Sequence, residues 1–422
     1  MAANGSETRV PVDAHRAAVL DLLGRLPVAE TPLADCLGLV LVTDLVSAIA
    51  LPPFDNSAMD GYAVRAADVA DASPDHPVEL PVTTDIPAGR TDVPDLEPGT
   101  AHRIMTGALV PPGADAIVQV EHTDAGVDRV RIFTAAAAGG HVRGIGEDVQ
   151  AGTVVLPAGT ELGPMQLGLA AAVGAATLPV RRRPRVLVLS TGSELVAPGT
   201  PLAPGQIYES NGLMLAMAVR AAGGEAELLR FVPDDVPAFH STLDTHLGSA
   251  FSPGHPGHRP RADLVITSGG VSAGAYEVVK DALSGQGVNF HKVNMQPGGP
   301  QGAGRYRGVP VVTLPGNPVS AAISFEVFVR PALRNAMGHH DLDRPATTAR
   351  LTTALTAPPG RRQYRRGHHD AAAGTVTPVG GPGSHLLASL AAADCLFVVP
   401  EEVTELAEGA VVQVLSLRSL AS

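Results

Sequence analysis

The stretch "VPVVTLPGNPVSAAISFEVFVRPAL", Val309 to Leu333, decides the fold. Val309 to Leu314 is a short run of β-formers closed by Pro315-Gly316, a pair that turns a chain out of a strand. Asn317 then stands where a helix N-cap belongs and Pro318 at the first helical position, where proline's fixed φ and missing N–H cost nothing. A strand, a tight polar turn and a helix form part of a βαβ unit.

The same grammar recurs upstream. "VLVLSTGSEL" from Val186 is a run of β-formers ending in a glycine loop, and "SNGLMLAMAVRAAGG" is a helix with Ser210 or Asn211 as cap and Gly223 as stop. "EAELLRFVPDD" and "ADLVITSGGVSAG" add two strands with polar loops at their ends. Strands and helices alternating from Arg185 to about Arg334 predict a mostly parallel sheet. In such sheets ligands bind beyond the carboxyl ends of the strands, where backbone N–H groups face anions. Three loops fall there: Ser190-Thr191-Gly192-Ser193-Glu194, Ser268-Gly269-Gly270-Val271-Ser272 and Leu314-Pro315-Gly316-Asn317-Pro318. One such loop is only a turn; three at one edge point to a phosphorylated ligand. Neither lysine precedes Ser or Thr, so there is no Walker motif, and "GIGEDV" at Gly144 neither follows a clear strand nor ends in glycine. ATPase and dehydrogenase readings are therefore weak.

Composition excludes more. A chain of 422 residues with 45% hydrophobic content divides into several globular domains. Its formal charge of −12 argues against nucleic acid or an anionic membrane as partner. Cys36 and Cys395 lie at opposite ends, which offers neither a disulfide framework nor a CxxC zinc site and fits a reducing cytoplasm. "MAANGSETRV" lacks a signal-peptide pattern, and the apolar run from Leu167 is too short to span a bilayer. His240, His246, His255 and His258 have no metal-ligand spacing, and the last two read as exposed loop residues. Only Lys280 and Lys292 are lysine, one on the helix after the Ser268 loop and one on the next strand, where a compact ammonium suits a phosphate.

The first half of the chain is patterned differently. Residues 9 to 50 read as helical, with breaks at Pro27 and Pro32, and Leu51 to about Val142 as short β segments such as Ile117–Val120 and Val130–Phe133. The stretch "PPFDNSAMDGYAV", Pro52 to Val64, shows neither helical period nor strand alternation, yet holds Asp55, Asn56, Ser57 and Asp60 among Phe54, Met59 and Tyr62. So many polar groups on an irregular backbone suggest either a set of Asx turns or part of a catalytic wall.

Taken together, "PPFDNSAMDGYAV", "RIMTGALVPPGADAIVQVE", "GED", "STGSEL", "SNG", "TSGGVSAG", "LPGNPVS", "PGRRQYRRG" and "GSHLLASL" resemble, in order and spacing, the molybdopterin molybdenumtransferases, the MoeA family that includes the gephyrin E domain. The likeness runs over nearly the whole chain. It implies a multidomain α/β and β protein: an extended helical domain (1–50 with 142–180), a β-rich inserted domain (51–141), an α/β domain similar to the molybdopterin adenylyltransferases (181–338) and a small carboxyl-terminal β-barrel (345–422). It also implies a homodimer whose cleft draws on both subunits, and possible dealings with a molybdopterin adenylyltransferase and with acceptor molybdoenzymes. The implied reaction takes adenylylated molybdopterin and molybdate, releases AMP and inserts molybdenum into the pterin dithiolate, with Mg²⁺. By position in the matching motifs, the implied catalytic residues are Asp60, Thr106, Asp148, Glu194, Glu277 and Lys292. The implied metal ligands are Glu194, Asp234 or Asp235, and Glu277. Substrate contacts fall to Ser190, Thr191, Gly192, Asn211, Ser268, Gly269, Gly270, Ser272, Lys280, Pro315, Gly316, Asn317 and Pro318, and to Arg361, Arg366, Ser384 and His385 of the barrel.

The chain departs from that pattern at two places. After "GGVSAG" the usual Glu-x-Asp-Tyr is "AYEV", with Ala275 for one acid and Glu277 for the other. Beyond Lys292 the usual Lys-Pro-Gly-Lys-Pro is "QPGGP", so Gln296 and Gly299 replace two lysines, and Arg305, Arg307 or Lys280 are the candidates to compensate. Two alternatives stay open on the residues: a non-catalytic molybdopterin carrier or scaffold, and a molybdopterin adenylyltransferase.

Overall fold

A computed structural model describes residues 9–232, 235–247, 262–270 and 277–418. The chain separates into two compact units, one made of residues 1–31, 38–42 and 179–422, the other of 32–37 and 43–178.

The chain opens with strand β1 (Arg9–Val10) and helix α1 (Val12–Leu23), both in the first unit. In the second unit, β2 (Gly61–Val64), β3 (Val78–Ile86), β4 (Ala101–Ile104), β5 (Ala116–Gln119) and β6 (Arg129–Ile132) form a sheet in the order β5-β2-β4-β3-β6. Gly61 is required in it: a Cβ there would lie 1.9 Å from the Val118 carbonyl oxygen of the adjoining strand. The apolar run from Leu167 lies largely in helix α2 (Pro164–Ala172), with Pro164 in its first turn.

The first unit is built on β7 (Arg185–Thr191), α3 (Asn211–Ala221), β8 (Glu225–Val232), α4 (Val236–Leu247), β9 (Leu264–Ser268), α5 (Val278–Leu283), β10 (Val288–Val293), β11 (Pro300–Tyr306), β12 (Val309–Leu314), α6 (Pro318–Ser324) and α7 (Arg330–Met337). A single π turn, Phe325–Val329, joins the last two helices. The sheet order is β1-β10-β11-β12-β9-β7-β8, parallel except for β11, which runs against both its neighbours.

Alternation explains why the central strands read as unbroken apolar runs. Val186, Val188, Leu264, Ile266, Val312 and Leu314 face one side, where they pack with residues of α1, α3, α6 and α7. Leu187, Leu189, Val265 and Val311 face the other and meet Phe239 and Leu243 of α4 and Val279 and Leu283 of α5. Burial on both faces is the usual condition of a parallel sheet.

The remaining strands, β13 (Ala346–Leu351), β14 (Arg362–Asp370), β15 (Thr375–Pro378), β16 (Cys395–Val399) and β17 (Val411–Ser416), pair in the order β14-β15-β13-β17-β16, and β16 returns to β14 to close a five-stranded barrel. Both cysteines are free and buried.

One expectation fails. Of the helical texture read over 9–50, only Val12–Leu23 is α-helix; the chain then runs through the strand Val28–Pro32, a 3₁₀ turn at Leu33–Asp35 and isolated bridges such as Leu41 to Val180. Gly24, at φ 62° with its N–H on the Leu20 carbonyl, stops the helix, and "LGLVLV" is tied to a distant backbone partner at Pro179 and Val180 rather than forming an amphipathic helix.

Helix α1 is fastened to the sheet by a buried histidine pair. His291 Nε2 lies 2.9 Å from His15 Nδ1, and the His15 ring packs edge-on against Phe328 with centroids 4.7 Å apart. Burial, then the neighbouring His291, push the His15 pKa down to about 3, and burial lowers that of His291. Between about pH 3 and 6.5 the unfolded chain therefore binds more protons at His15 than the folded one, so stability falls as pH drops through that window. The loss should reach on the order of 2 kcal/mol by pH 5. Urea midpoints at pH 7 and pH 5 should show a smaller acid loss in His15→Gln than in the unaltered protein.

Candidate active site

A cavity of about 1030 Å³ opens in the first unit, lined by all three loops read from the sequence. Its floor is the carboxyl edge of β7, β9 and β12, where the chain leaves β7 for α3 and β8 on one side, and leaves β9 toward β12 on the other. This is the kind of crevice at which open α/β sheets take ligands.

The loops approach one another backbone to backbone. Gly269 and Gly270 have φ of 96° and 65°, and Cβ atoms there would lie 2.9 Å from the Thr191 carbonyl oxygen and 2.9 Å from Val279 Cγ2. Asn211, first residue of α3, joins the loops: its Nδ2 donates to Ser268 Oγ at 3.0 Å and to the Gly316 carbonyl at 2.6 Å. Ser190 Oγ and the Gly212 N–H both donate to Oε1 of the buried Glu209, at 2.8 and 2.6 Å. Glu209 thereby holds the first loop against the start of α3.

Charge enters the cavity from several elements. Glu194 follows β7, Glu277 stands at the start of α5, Lys292 is on β10, and Arg361, Ser384 and His385 come from the barrel. The Val319 N–H donates to the Ser384 carbonyl at 3.1 Å, which ties the barrel loop to the first turn of α6. Ser190, Thr191, Gly192, Asn211, Ser268, Gly269, Gly270, Pro315, Gly316, Asn317 and Pro318 also line it, so most of the residues read from this unit converge on one space.

Several do not. Asp235 is off the wall: its Oδ1 accepts from the Ala238 N–H at 2.8 Å and caps α4. Lys280 lies on α5, off the wall, with its N–H donating to Gly270 O. The Arg366 guanidinium is buried and donates to the carbonyls of Gly381 and Gly383, so it shapes the barrel loop instead of facing the cavity. Arg362 is paired with Asp13 and Glu401, so the arginine cluster is not the solvated face that a charge run usually is. Asp234, Ser272, Ala275, His255 and His258 lie outside the described residues. The wall also contains the segment Gln296–Pro300 singled out in the sequence, and three residues the sequence reading missed: Arg9 of β1, Tyr208 and Glu209. The Ile207-Tyr208-Glu209 run beside the Ser210 cap was the available signal for two of them.

The other candidates belong to the second unit and form a joined set of loops there. Asp60 Oδ1 accepts from the Thr106 N–H at 2.7 Å and from Thr106 Oγ1 at 2.8 Å. Those two bonds, with the positive Arg103, hold the exposed Asp60 carboxyl below its ordinary pKa. The loop bearing Asp148 is fixed to the same stretch: the Asp148 N–H donates to Leu51 O at 2.9 Å, and Asp55 Oδ1 accepts from the Ile145 N–H at 2.6 Å. Tyr62, by contrast, is buried, with its hydroxyl on the Gly126 carbonyl at 2.9 Å.

Among the described residues no group of three or more His, Cys, Asp or Glu side chains is arranged to hold a metal by itself. Two cavity carboxylates, Glu194 and Glu277, suit instead a hard ion that completes its shell with substrate phosphate and water, which is how Mg²⁺ is usually bound.

Fold and cavity define a multidomain α/β protein with a polar crevice at the carboxyl edge of its mostly parallel sheet and a β-barrel in the same unit. Three family models cover the chain in order: "MoeA N-terminal region (domain I and II)" over residues 10–174, "Probable molybdopterin binding domain" over 187–335 and "MoeA C-terminal region (domain IV)" over 348–417. The chain belongs to the MoeA family. Molybdopterin molybdenumtransferase 2 of Mycobacterium tuberculosis is 55% identical over 413 residues, 96% of this chain and 99% of that protein. Molybdopterin molybdenumtransferase 1 of the same organism is 38% identical over 90% and 93%. A crystal structure of the molybdopterin biosynthesis moeA protein of Pyrococcus horikoshii is 32% identical, with a TM-score of 0.78 over 97% of this chain and 100% of that one.

Asn211→Ala should cost roughly 1–2 kcal/mol of stability, since it removes two hydrogen bonds and leaves their acceptors unpaired. Urea denaturation gives the cost, and hydrogen exchange should speed up at the Gly269 and Gly270 amides; unchanged exchange there would mean that the loops do not depend on this tie.

Proposed function

We propose that this protein, a molybdopterin molybdenumtransferase of molybdenum cofactor biosynthesis, acts on adenylylated molybdopterin and molybdate and releases AMP. The observation that carries the reading is the convergence of three backbone loops, two carboxylates and the cations Lys292 and Arg361 on one cavity at the carboxyl edge of a parallel sheet. Its volume suits a pterin joined to a nucleotide.

In this reading Lys292 and Arg361 take the phosphate oxygens. The amino end of α3, at Ser210 and Asn211, favours the same negative charge. When the anhydride P–O bond breaks and AMP leaves, negative charge grows on the bridging oxygen, and fixed cations offset it without reorganising. Glu194 and Glu277 would hold Mg²⁺, which would supply further charge neutralisation at the phosphates. The glutamates also orient water at the anhydride. Asp60, held ionised by Thr106, and Asp148 take part in the same reaction. The domain limits inferred from the sequence, a homodimer as working form, and a cytoplasmic location belong to this proposal; no helix among the described residues is long and apolar enough to cross a membrane.

AMP release from adenylylated molybdopterin, with molybdate and Mg²⁺, tests it against Asp60→Ala and Glu277→Ala. Each substitution should lower the rate by on the order of 10²–10³, as removal of one charge-stabilising group does elsewhere. Tight binding without release, unchanged by either variant, would indicate a carrier, and ATP-dependent adenylylation of molybdopterin would indicate the adenylyltransferase.

A further inference from the structure

The segment that passes Lys292, Gln296–Pro300, lies on the cavity wall and carries no charge. Three carboxylates, Glu194, Glu209 and Glu277, share that wall. Lys292 and Arg361 alone would leave it an unfavourable surface for a polyanion. The compensating cations suggested by the sequence are committed elsewhere. Arg305 donates to the carbonyls of Gly308 and Leu22, Arg307 pairs with Asp244 at 2.9 Å and lies over the Tyr306 ring, and Lys280 is off the wall.

We propose that Arg9 binds a phosphate oxyanion of the substrate together with Lys292. Arg9 lines the cavity, and its position in β1 is paired with Lys292 in the parallel ladder. Neighbouring strands are about 4.8 Å apart, and paired positions present their side chains on the same face. Two cations set side by side repel, and an anion shared between them relieves that repulsion. Among the described residues, no carboxylate or carbonyl pairs with the Arg9 guanidinium. The strand that delivers it is fixed: Val10 pairs with Val293, the Asn294 N–H donates to Val10 O at 2.8 Å, and the His15–His291 contact anchors the helix that follows. An edge strand from the amino-terminal part of the chain thus supplies a cation that the segment after Lys292 lacks.

This inference rests on the reading of the cavity as the site for adenylylated molybdopterin, so the unaltered protein serves as its control. Titration calorimetry without molybdate, where turnover is not expected, gives the Kd for adenylylated molybdopterin at two ionic strengths. Arg9→Ala should raise it roughly ten- to a hundredfold and flatten its salt dependence, consistent with loss of one charged contact. Arg9→Lys should retain part of the affinity. Adding Gly299→Lys to Arg9→Ala should restore much of it: beyond its chain neighbours, a Cβ at Gly299 meets nothing nearer than the Val293 carbonyl oxygen at 3.6 Å, its φ lies outside the left-handed range, and the lysine places a cation on the same wall. Binding by Arg9→Ala within twofold of the unaltered protein would overturn the proposal. So would a loss that neither lysine reverses, because that pattern marks damage to the edge strand instead of lost charge. If the unaltered protein neither binds the substrate nor releases AMP, the functional reading itself fails, and the Arg9 proposal with it; turnover with no effect of Arg9→Ala would sink the Arg9 proposal alone.

Discussion

Burial of β7, β9 and β12 on both faces is the constraint on which the first unit depends. Strands covered by α1, α3, α6 and α7 on one side and by α4 and α5 on the other cannot offer a side face to a ligand, so their polar chemistry is displaced to their ends. At the carboxyl end the loops must turn sharply into the covering helices. That pressure selects glycine at 269 and 270, where any side chain would strike Thr191 or Val279. The same crowding brings the Ser268, Gly316 and Asn211 groups within hydrogen-bonding distance. The cavity is therefore a consequence of how the core is covered.

The site divides its acids by role. Glu209 is buried, and its Oε1 receives both Ser190 Oγ and the Gly212 N–H, so that oxygen is occupied in holding a loop to a helix. A buried carboxylate without such donors would be costly. Glu194 is exposed and Glu277 half-buried on the cavity wall, where a cation or water can reach them. Asp60, in the other unit, shows a third arrangement: it is exposed, yet two hydrogen bonds from one threonine favour its charged form. Exposure alone would have suggested an ordinary turn aspartate; the paired donors make it a fixed negative charge.

Much of this was legible in the sequence because it is local. A strand ending in Pro315-Gly316, a cap at Asn317 and a proline at the first helical position are settled within a few residues, and the three loops of the cavity followed from them. What failed was long-range. The run "LGLVLV" looks helical in isolation, but it is tied to Val180 by a backbone bridge. Arg366 and Arg361 are indistinguishable as members of one basic cluster, yet the fold turns one toward carbonyls of its own barrel loop and the other toward the cavity. Arg9 could not be found at all from its neighbours, because its significance comes from a register with Lys292 that joins opposite parts of the chain.

That register bears on how charge can move within a fold without moving the site. Lys292 on β10 and Arg9 on the strand beside it reach the same space by different backbone routes. An anion responds to charge and distance, not to which strand supplies them. Arginine differs in presenting a planar fork of donors, which suits two oxygens of one phosphate better than an ammonium does. A wall with Lys292 and Arg9 side by side thus pairs a point charge with a directional fork of donors. Such a wall would discriminate on the orientation of a bound phosphate.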